Sequence, residues 1–175
     1  MINLSFLIEK AKNGDTASMS ALYKMTWNQI YPSVLFLLKN KEEAEDIMQE
    51  GYLKGFQKLG ELKDAEKFVP WLKSICLRKG LDFLRKAKLN TSREFEEEHF
   101  AHIEDEEADE DMELTENLLQ TIANMPRGFQ VVIQMHAFEG MPHADIAEHL
   151  GITPSTARSQ YARAIQKLRK EMING

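Results

Sequence analysis

Between Glu94 and Glu116 the chain carries thirteen acidic side chains and not one lysine or arginine. Like charges at that density resist compaction, so no single core can run through EFEEEHFAHIEDEEADEDMELTE, which is expected to be an extended, flexible acidic linker. The chain must therefore fold on either side of it. Residues 1–93 hold 16 basic and 11 acidic groups and residues 117–175 hold 6 and 4, so a formal net charge of -6 hides two basic lobes, +5 and +2, joined by an acidic strap. A basic lobe wants an anionic partner, and nucleic acid is the commonest one.

The length of 175 residues and a hydrophobic content of 43% suffice for two small cores. The sequence has no apolar run of membrane-spanning length, and MINLSFLIEKAKNGD lacks the cationic start of a secretory signal, so the expectation is a cytoplasmic protein without membrane insertion. Cys76 is the single cysteine, cannot form an internal disulfide, and is expected to be a small buried hydrophobe. Glu96 and His99 form one Glu-x-x-His motif, but a helical di-metal site needs two of these plus further glutamates. His136, His143 and His149 are read as packed or solvated imidazoles. No metal, cofactor or catalytic constellation is expected.

Glycine and proline are sparse and apolar residues recur every three or four positions, which predicts an all-α protein with two small helical domains. In the first, 1–93, Asp15 or Thr16 caps a helix through ASMSALYKMTWNQIYPSVLFLLKN that Pro32 is expected to kink or divide. A helix from about Lys41 places Ala44, Ile47, Met48, Tyr52, Gly55 and Phe56 on an apolar side with Leu59 continuing it, and Glu43, Asp46, Gln49 and Glu50 on an exposed acidic side. The next helix begins near Phe68 with Pro70 in its first turn. Its stripe is Phe68, Leu72, Ile75, Cys76 and Phe83, and its other side gathers Trp71, Ser74, Arg78 and Arg85. From Trp71 to Arg93 there are seven basic residues, Lys86 among them, and one acidic residue, a composition suited to phosphates and stacked bases.

In the second domain, 117–175, one helix ends before Pro126 and another is expected from about Arg127 to Phe138, closed by Gly140. HADIAEHLGITPSTARSQYARAIQKLRK then reads as a helix-turn-helix, with Gly151 ending the first helix, Thr153 capping the second and Pro154 in its first turn. Ala147 is small at the crossing, and Ile146, Leu150 and Ile152 fill the angle. Ala157, Tyr161, Ala164, Ile165, Leu168 and Met172 form the apolar seam of the last helix. Ser155, Thr156, Arg158, Ser159, Arg163, Gln166, Arg169 and Lys170 face away from it, and Pro154 to Lys170 hold five basic residues and no acidic one. That matches a helix docked in a major groove.

AEDIMQEGYLKGFQKL, FVPWLKSICLRKGLDFLRK and MPRGFQVVIQMHAFEGMPHADIAEHLGITPSTARSQYARAIQKLRK, in this order around an acidic linker, resemble bacterial RNA polymerase sigma factors of the extracytoplasmic-function type. The resemblance implies that the chain docks on core RNA polymerase through Asp46, Gln49 and Glu50. It implies that Trp71, Ser74, Arg78, Arg85 and Lys86 meet the downstream (-10) element of promoter DNA as it opens. It further implies that the second domain reads the upstream (-35) element, Ser155, Thr156, Arg158 and Ser159 at base edges and Arg163, Arg169 and Lys170 at phosphates, and that an inhibitory anti-sigma partner exists. Arg78 stands where the family usually has asparagine, and Ala157 where it has a β-branched residue. A conventional operator-binding regulator with a sensing first domain would explain the last helix equally well, but leaves AEDIMQE and the helix after Phe68 without a role.

Overall fold

The computed structural model describes residues 3–90 and 110–174, and every regular element among them is helical. The chain divides into two compact units, Met1–Leu84 and Arg85–Gly175. Residues 91–109, with most of the acidic strap and the Glu96 and His99 motif, lie outside the described residues. Helix α5 (Glu110–Ala123) takes in the last seven residues of the strap, where the sequence reading expects extended chain.

The first unit opens with α1 (Leu4–Lys12), an element the sequence reading omits, capped by the Asn3 carboxamide on the Ser5 amide. Asp15 caps α2 (Thr16–Leu38) by accepting from the Ser18 amide at 2.9 Å and from its hydroxyl. Pro32 does not divide α2. Its ring and Asn28, whose carbonyl loses its amide partner, are both exposed, so water can serve that carbonyl while Ile30 and Val34 hold the helix in the core. The Asn40 side chain caps α3 (Lys41–Gln57) through the Glu43 amide. Two short 3-10 turns, Leu59–Glu61 and Ala65–Lys67, lead into α4 (Phe68–Asn90).

The core of this unit is Leu22, Ile30, Val34, Leu37, Ala44, Met48, Phe68, Leu72, Cys76 and Leu81, all without exposed surface. Phe83, expected in the stripe of α4, is only half-buried, and Leu77 and Leu81 complete the packing instead. Gly51 lets α3 approach α4: a Cβ there would lie 2.4 Å from Cys76 Sγ and 3.1 Å from Cys76 Cα. Burial pushes the Cys76 thiol up to about 12. Buried Thr26 donates to the Leu22 carbonyl at 2.7 Å and stands 2.6 Å from the Tyr52 hydroxyl, which burial likewise raises to about 12.

The second unit packs α5, α6 (Arg127–Ile133), α7 (His143–Leu150) and α8 (Pro154–Asn174) around Ile122, Val132, Met135, Ile146, Ala157 and Ala164. The expected α-helix to Phe138 is instead α up to Ile133 and π over Gln134–Phe138. The Glu139 amide reaches back to the Gln134 carbonyl at 3.0 Å, and Gly140 leaves the segment at φ 67°. A 3.6-residue pattern does not reveal the extra residue in such a turn. Gly151, also at φ 67°, ends α7, and the Ile152 amide bonds the Ala147 carbonyl at 3.0 Å, closing the turn of the helix-turn-helix.

Candidate nucleic-acid interface

Three surfaces carry the residues singled out by the sequence. On α3, Asp46, Gln49 and Glu50 are exposed. Glu43, placed with them, is half-buried, and burial raises its carboxyl above the usual range. Glu50 also has a partner across the unit: its Oε2 lies 2.9 Å from Lys79 Nζ on α4. The α3 face with Asp46 and Glu50 is thus anionic and braced by this bridge against α4.

The second surface lies where α4 begins. Trp71 packs on buried Phe68 with ring centroids 6.3 Å apart, yet remains half exposed. With Pro70, Lys67 and the loop from Glu61 to Asp64, it lines an open cavity of about 400 Å³. That is in the size range of small-ligand pockets and roomy enough for one base. Ser74, Arg78 and Arg85 follow along α4 as half-buried residues, and Lys86 is exposed. The Arg78 guanidinium donates to Ser74 Oγ at 2.7 Å, so these two side chains present themselves as one unit.

The third surface is α8. Thr153 caps it, its Oγ1 accepting from the Thr156 amide at 3.1 Å and standing 2.8 Å from Thr156 Oγ1. Ser155, Thr156, Arg158, Ser159, Arg163, Gln166, Arg169 and Lys170 are all exposed, as their places off the apolar seam require. Ala157, Ala164 and Leu168 are buried in that seam. Met172, expected to share it, is 56% exposed because the seam's cover ends near Leu168. The 153–156 cap and the αL turn at Gly151 fix the start of α8, where a reading helix needs rigidity.

These surfaces coincide with two known sequence families. Residues 22–89 match the model of sigma-70 region 2, and residues 115–168 match that of sigma-70 region 4. The chain belongs to the sigma-70 family. This sigma factor is 25% identical over 176 residues to the ECF RNA polymerase sigma factor SigW of Bacillus subtilis, covering 94% of each chain. It is 23% identical to the RNA polymerase sigma-H factor of Pseudomonas aeruginosa over 95% of this chain and 92% of that one. Its fold is similar to that of RpoE of Bartonella quintana, solved with the anti-sigma factor NepR, at a TM-score of 0.54 and 16% identity over 87% of this chain and 95% of that one. CnrH, solved with the cytosolic domain of CnrY, superposes at 0.50 with 20% identity over 97% and 96%. It is a factor of the extracytoplasmic-function type.

Several features of this sigma factor escaped the sequence reading. The Glu50–Lys79 bridge joins residues 29 positions apart, and only the packing of α3 on α4 brings them together. The π segment stacks His136 on His143, centroids 3.8 Å apart, with Tyr161 of α8 edge-on to His136 at 4.7 Å. His136 Nδ1 is 2.9 Å from the Met141 carbonyl, whereas His143 Nδ1 is buried with no hydrogen-bond partner. Burial, His136 and Arg158 together depress the His143 pKa below its ordinary value. Among the described residues no helix is long and apolar enough to cross a membrane, and no cluster of three or more metal-ligating side chains occurs.

Proposed function

We propose that this chain is an alternative sigma factor that binds core RNA polymerase and directs promoter recognition, DNA opening and transcription initiation in the cytosol. The observation that carries the reading is the pairing of a sigma-70 region 2 and a region 4 on one short chain. The α3 face with Asp46, Gln49 and Glu50 docks on a basic surface of the polymerase, opposite charges setting register and on-rate. Trp71 and its cavity receive a base of the opening strand, while Ser74, Arg78, Arg85 and Lys86 hold phosphates alongside it. Unstacking a base costs a few kcal/mol, which aromatic stacking and phosphate contacts offset.

In the same reading, α8 enters the major groove of the upstream element with its amino-terminal end deepest. Ser155, Thr156, Arg158 and Ser159 face base edges there, and Arg163, Arg169 and Lys170 lie farther along at phosphate distance. The chain positions DNA and the polymerase performs the chemistry. Since the structurally similar RpoE was solved with the anti-sigma factor NepR and CnrH with the cytosolic domain of CnrY, we propose that an anti-sigma factor also binds this chain and holds it inactive until it is needed. Run-off transcription with core polymerase on genomic fragments tests the function: transcripts from a discrete set of promoters are expected. DNA binding without core polymerase and without any transcript would instead make the chain an operator-binding regulator.

A further inference from the structure

We infer that the ring stack of His136, His143 and Tyr161 positions the reading helix: with both imidazoles neutral it seats α8, and one proton taken up by the pair unseats α8 and loosens its choice of base. The inference rests on the proposed DNA-reading role of α8 and adds a control to it. The three rings come from three elements. His136 lies in the π segment, His143 is the first residue of α7, and Tyr161 stands on α8 one turn after Arg158, the residue proposed to read a base. His136 and His143 are nearly parallel, 18° apart with centroids at 3.8 Å, and Tyr161 meets them at 4.7 Å and 5.2 Å. The reading helix thus leans on the two imidazoles close to its proposed base contact.

Hydrogen bonding fixes the protonation that the stack requires. A carbonyl oxygen only accepts, so His136 Nδ1, 2.9 Å from the Met141 carbonyl, carries a proton and donates it, tying the π segment to the chain just before α7. His143 Nδ1 is buried with no hydrogen-bond partner. Bare, it is a lone pair in a dry contact; protonated, it would bury a charged N–H without an acceptor, which costs far more than the neutral ring. Arg158 on α8 and a charged His136 would repel that proton, and the positive end of α7 begins at His143 itself. The carboxylates of these elements are Asp145, in the first turn of α7, and Glu139, at the end of the π segment, both half-buried and each with interactions of its own. Burial, His136 and Arg158 together hold the His143 pKa below 6.5 in the seated state, so seating is complete above 6.5 and is lost as pH falls through the lower seated value. His143 is only half-buried, so the protonated ring can turn out to water, and Tyr161 then loses the surface it rests on. Phosphate contacts farther along α8 do not depend on that seat, so hold on DNA outlasts choice between sequences.

The test uses the full-length chain, a duplex selected by it from a random-sequence pool at about pH 8, where imidazoles are neutral, and a scrambled duplex of the same composition. Affinity for both duplexes is measured from there downward through pH 6.5, with helicity followed by far-ultraviolet circular dichroism. The ratio of the two affinities is expected to be constant well above pH 6.5 and to fall below it by up to about 10-fold per pH unit, the limit for uptake of one proton. Affinity for the scrambled duplex should not fall with it. His143→Phe keeps a ring in the stack but takes no proton, and should hold the ratio flat; His143→Gln, also without a titrating group, makes the same comparison should the phenylalanine fail to fold. His149→Gln, at the far end of α7, should follow the parent. A ratio independent of pH in the parent, while Arg158→Ala relaxes the base preference, overturns the role of the stack and leaves α8 as the reader. The same fall in His143→Phe as in the parent, or a loss of helicity in step with it, places the proton elsewhere and also overturns the inference. If Arg158→Ala keeps the parent's base preference and no α8 variant changes binding, α8 is not the reader and the inference falls with that reading.

Discussion

Glu50 Oε2 and Lys79 Nζ, 2.9 Å apart, tie the helix proposed to dock on polymerase to the helix proposed to hold the opened strand. The lysine side chain is 25% exposed and the glutamate 61%, so the pair by itself contributes no more than about 1 kcal/mol. Two roles for Glu50 are separable by exchanging the charges. Glu50→Lys alone breaks the bridge and reverses the docking charge; adding Lys79→Glu restores the bridge but leaves the docking charge reversed. Core-polymerase affinity is expected to stay low in the exchanged protein while its urea midpoint returns to that of the parent. Full recovery of affinity would show that Glu50 serves only to hold α4.

The contact between Gly51 and Cys76 sets how closely α3 and α4 pack. A methyl group at position 51 would meet Cys76 Sγ at 2.4 Å, nearer than any ordinary contact, and Cys76 Cα at 3.1 Å, where only backbone movement gives relief. In an exposed helix Gly→Ala would gain about 1 kcal/mol, but here overpacking opposes it. Gly51→Ala is expected to destabilise the first unit by about 1–2 kcal/mol in urea unfolding. Cys76→Ala in the same chain removes the sulfur but not the backbone atom, so the double variant should recover part of the loss, with a coupling of at least about 0.5 kcal/mol.

Local chemistry made much of this fold legible. Asp15, Thr153 and Gly151 announce helix ends because a carboxylate, a hydroxyl and a missing Cβ each satisfy a specific need of the adjoining turn. Cys76 was readable as core for the same kind of reason. Features that depend on a partner distant in sequence were not. Gly51 falls on the buried arc of α3, but a glycine adds nothing to a hydrophobic pattern until the helix opposite is known. α1 offers only Ile8 and Ala11 as buried residues, too short a stripe to stand out. The surfaces of α3 and α8 were visible because charge sorts cleanly to one side of each helix.

The buried, stacked imidazole of His143 is expected to make the second unit sensitive to acid. His143 has its pKa depressed from 6.5, first by burial and then by the charges of His136 and Arg158. The fold therefore favours the neutral ring. Its contribution to stability is whole above the unfolded value of 6.5 and is lost as pH falls through the lower folded value. The difference in thermal midpoint between the parent and His143→Phe is expected to be constant well above pH 6.5 and to move in favour of the variant as pH falls below it. A difference that stays flat as pH falls below 6.5 would mean that His143 does not carry the effect.

Trp71 lines the cavity as a half-buried ring beside buried Phe68, and its proposed use is to stack on a base. Trp71→Ala is expected to slow strand opening on duplex promoters by about 10-fold or more, in line with about 1–3 kcal/mol per stacked base. On a template with a pre-melted bubble the loss should be smaller, because unpairing has already been supplied. Fluorescence of a 2-aminopurine in the downstream element follows the opening directly. Equal losses on both templates would point to a disturbed Phe68 core instead.

Position along α8 separates reading from holding. Thr156 is engaged with the Thr153 cap, so among the first residues Arg158 is the strongest candidate for base readout. A guanidinium can bond both acceptors of a guanine, a pairing that discriminates by about 1–3 kcal/mol. Arg158→Ala should therefore weaken binding and flatten the preference at one base pair. Lys170 is exposed three turns farther along α8 and is the residue proposed to meet phosphate. Lys170→Ala should weaken all sequences alike and reduce the salt slope by about one unit. The measurement is the affinity of a fragment beginning at Glu110 for single-base variants of the upstream element at several salt concentrations. A uniform loss in Arg158→Ala with base preference unchanged would make it a phosphate clamp and move readout to Ser155 and Ser159; unchanged binding in both variants would remove α8 from the DNA.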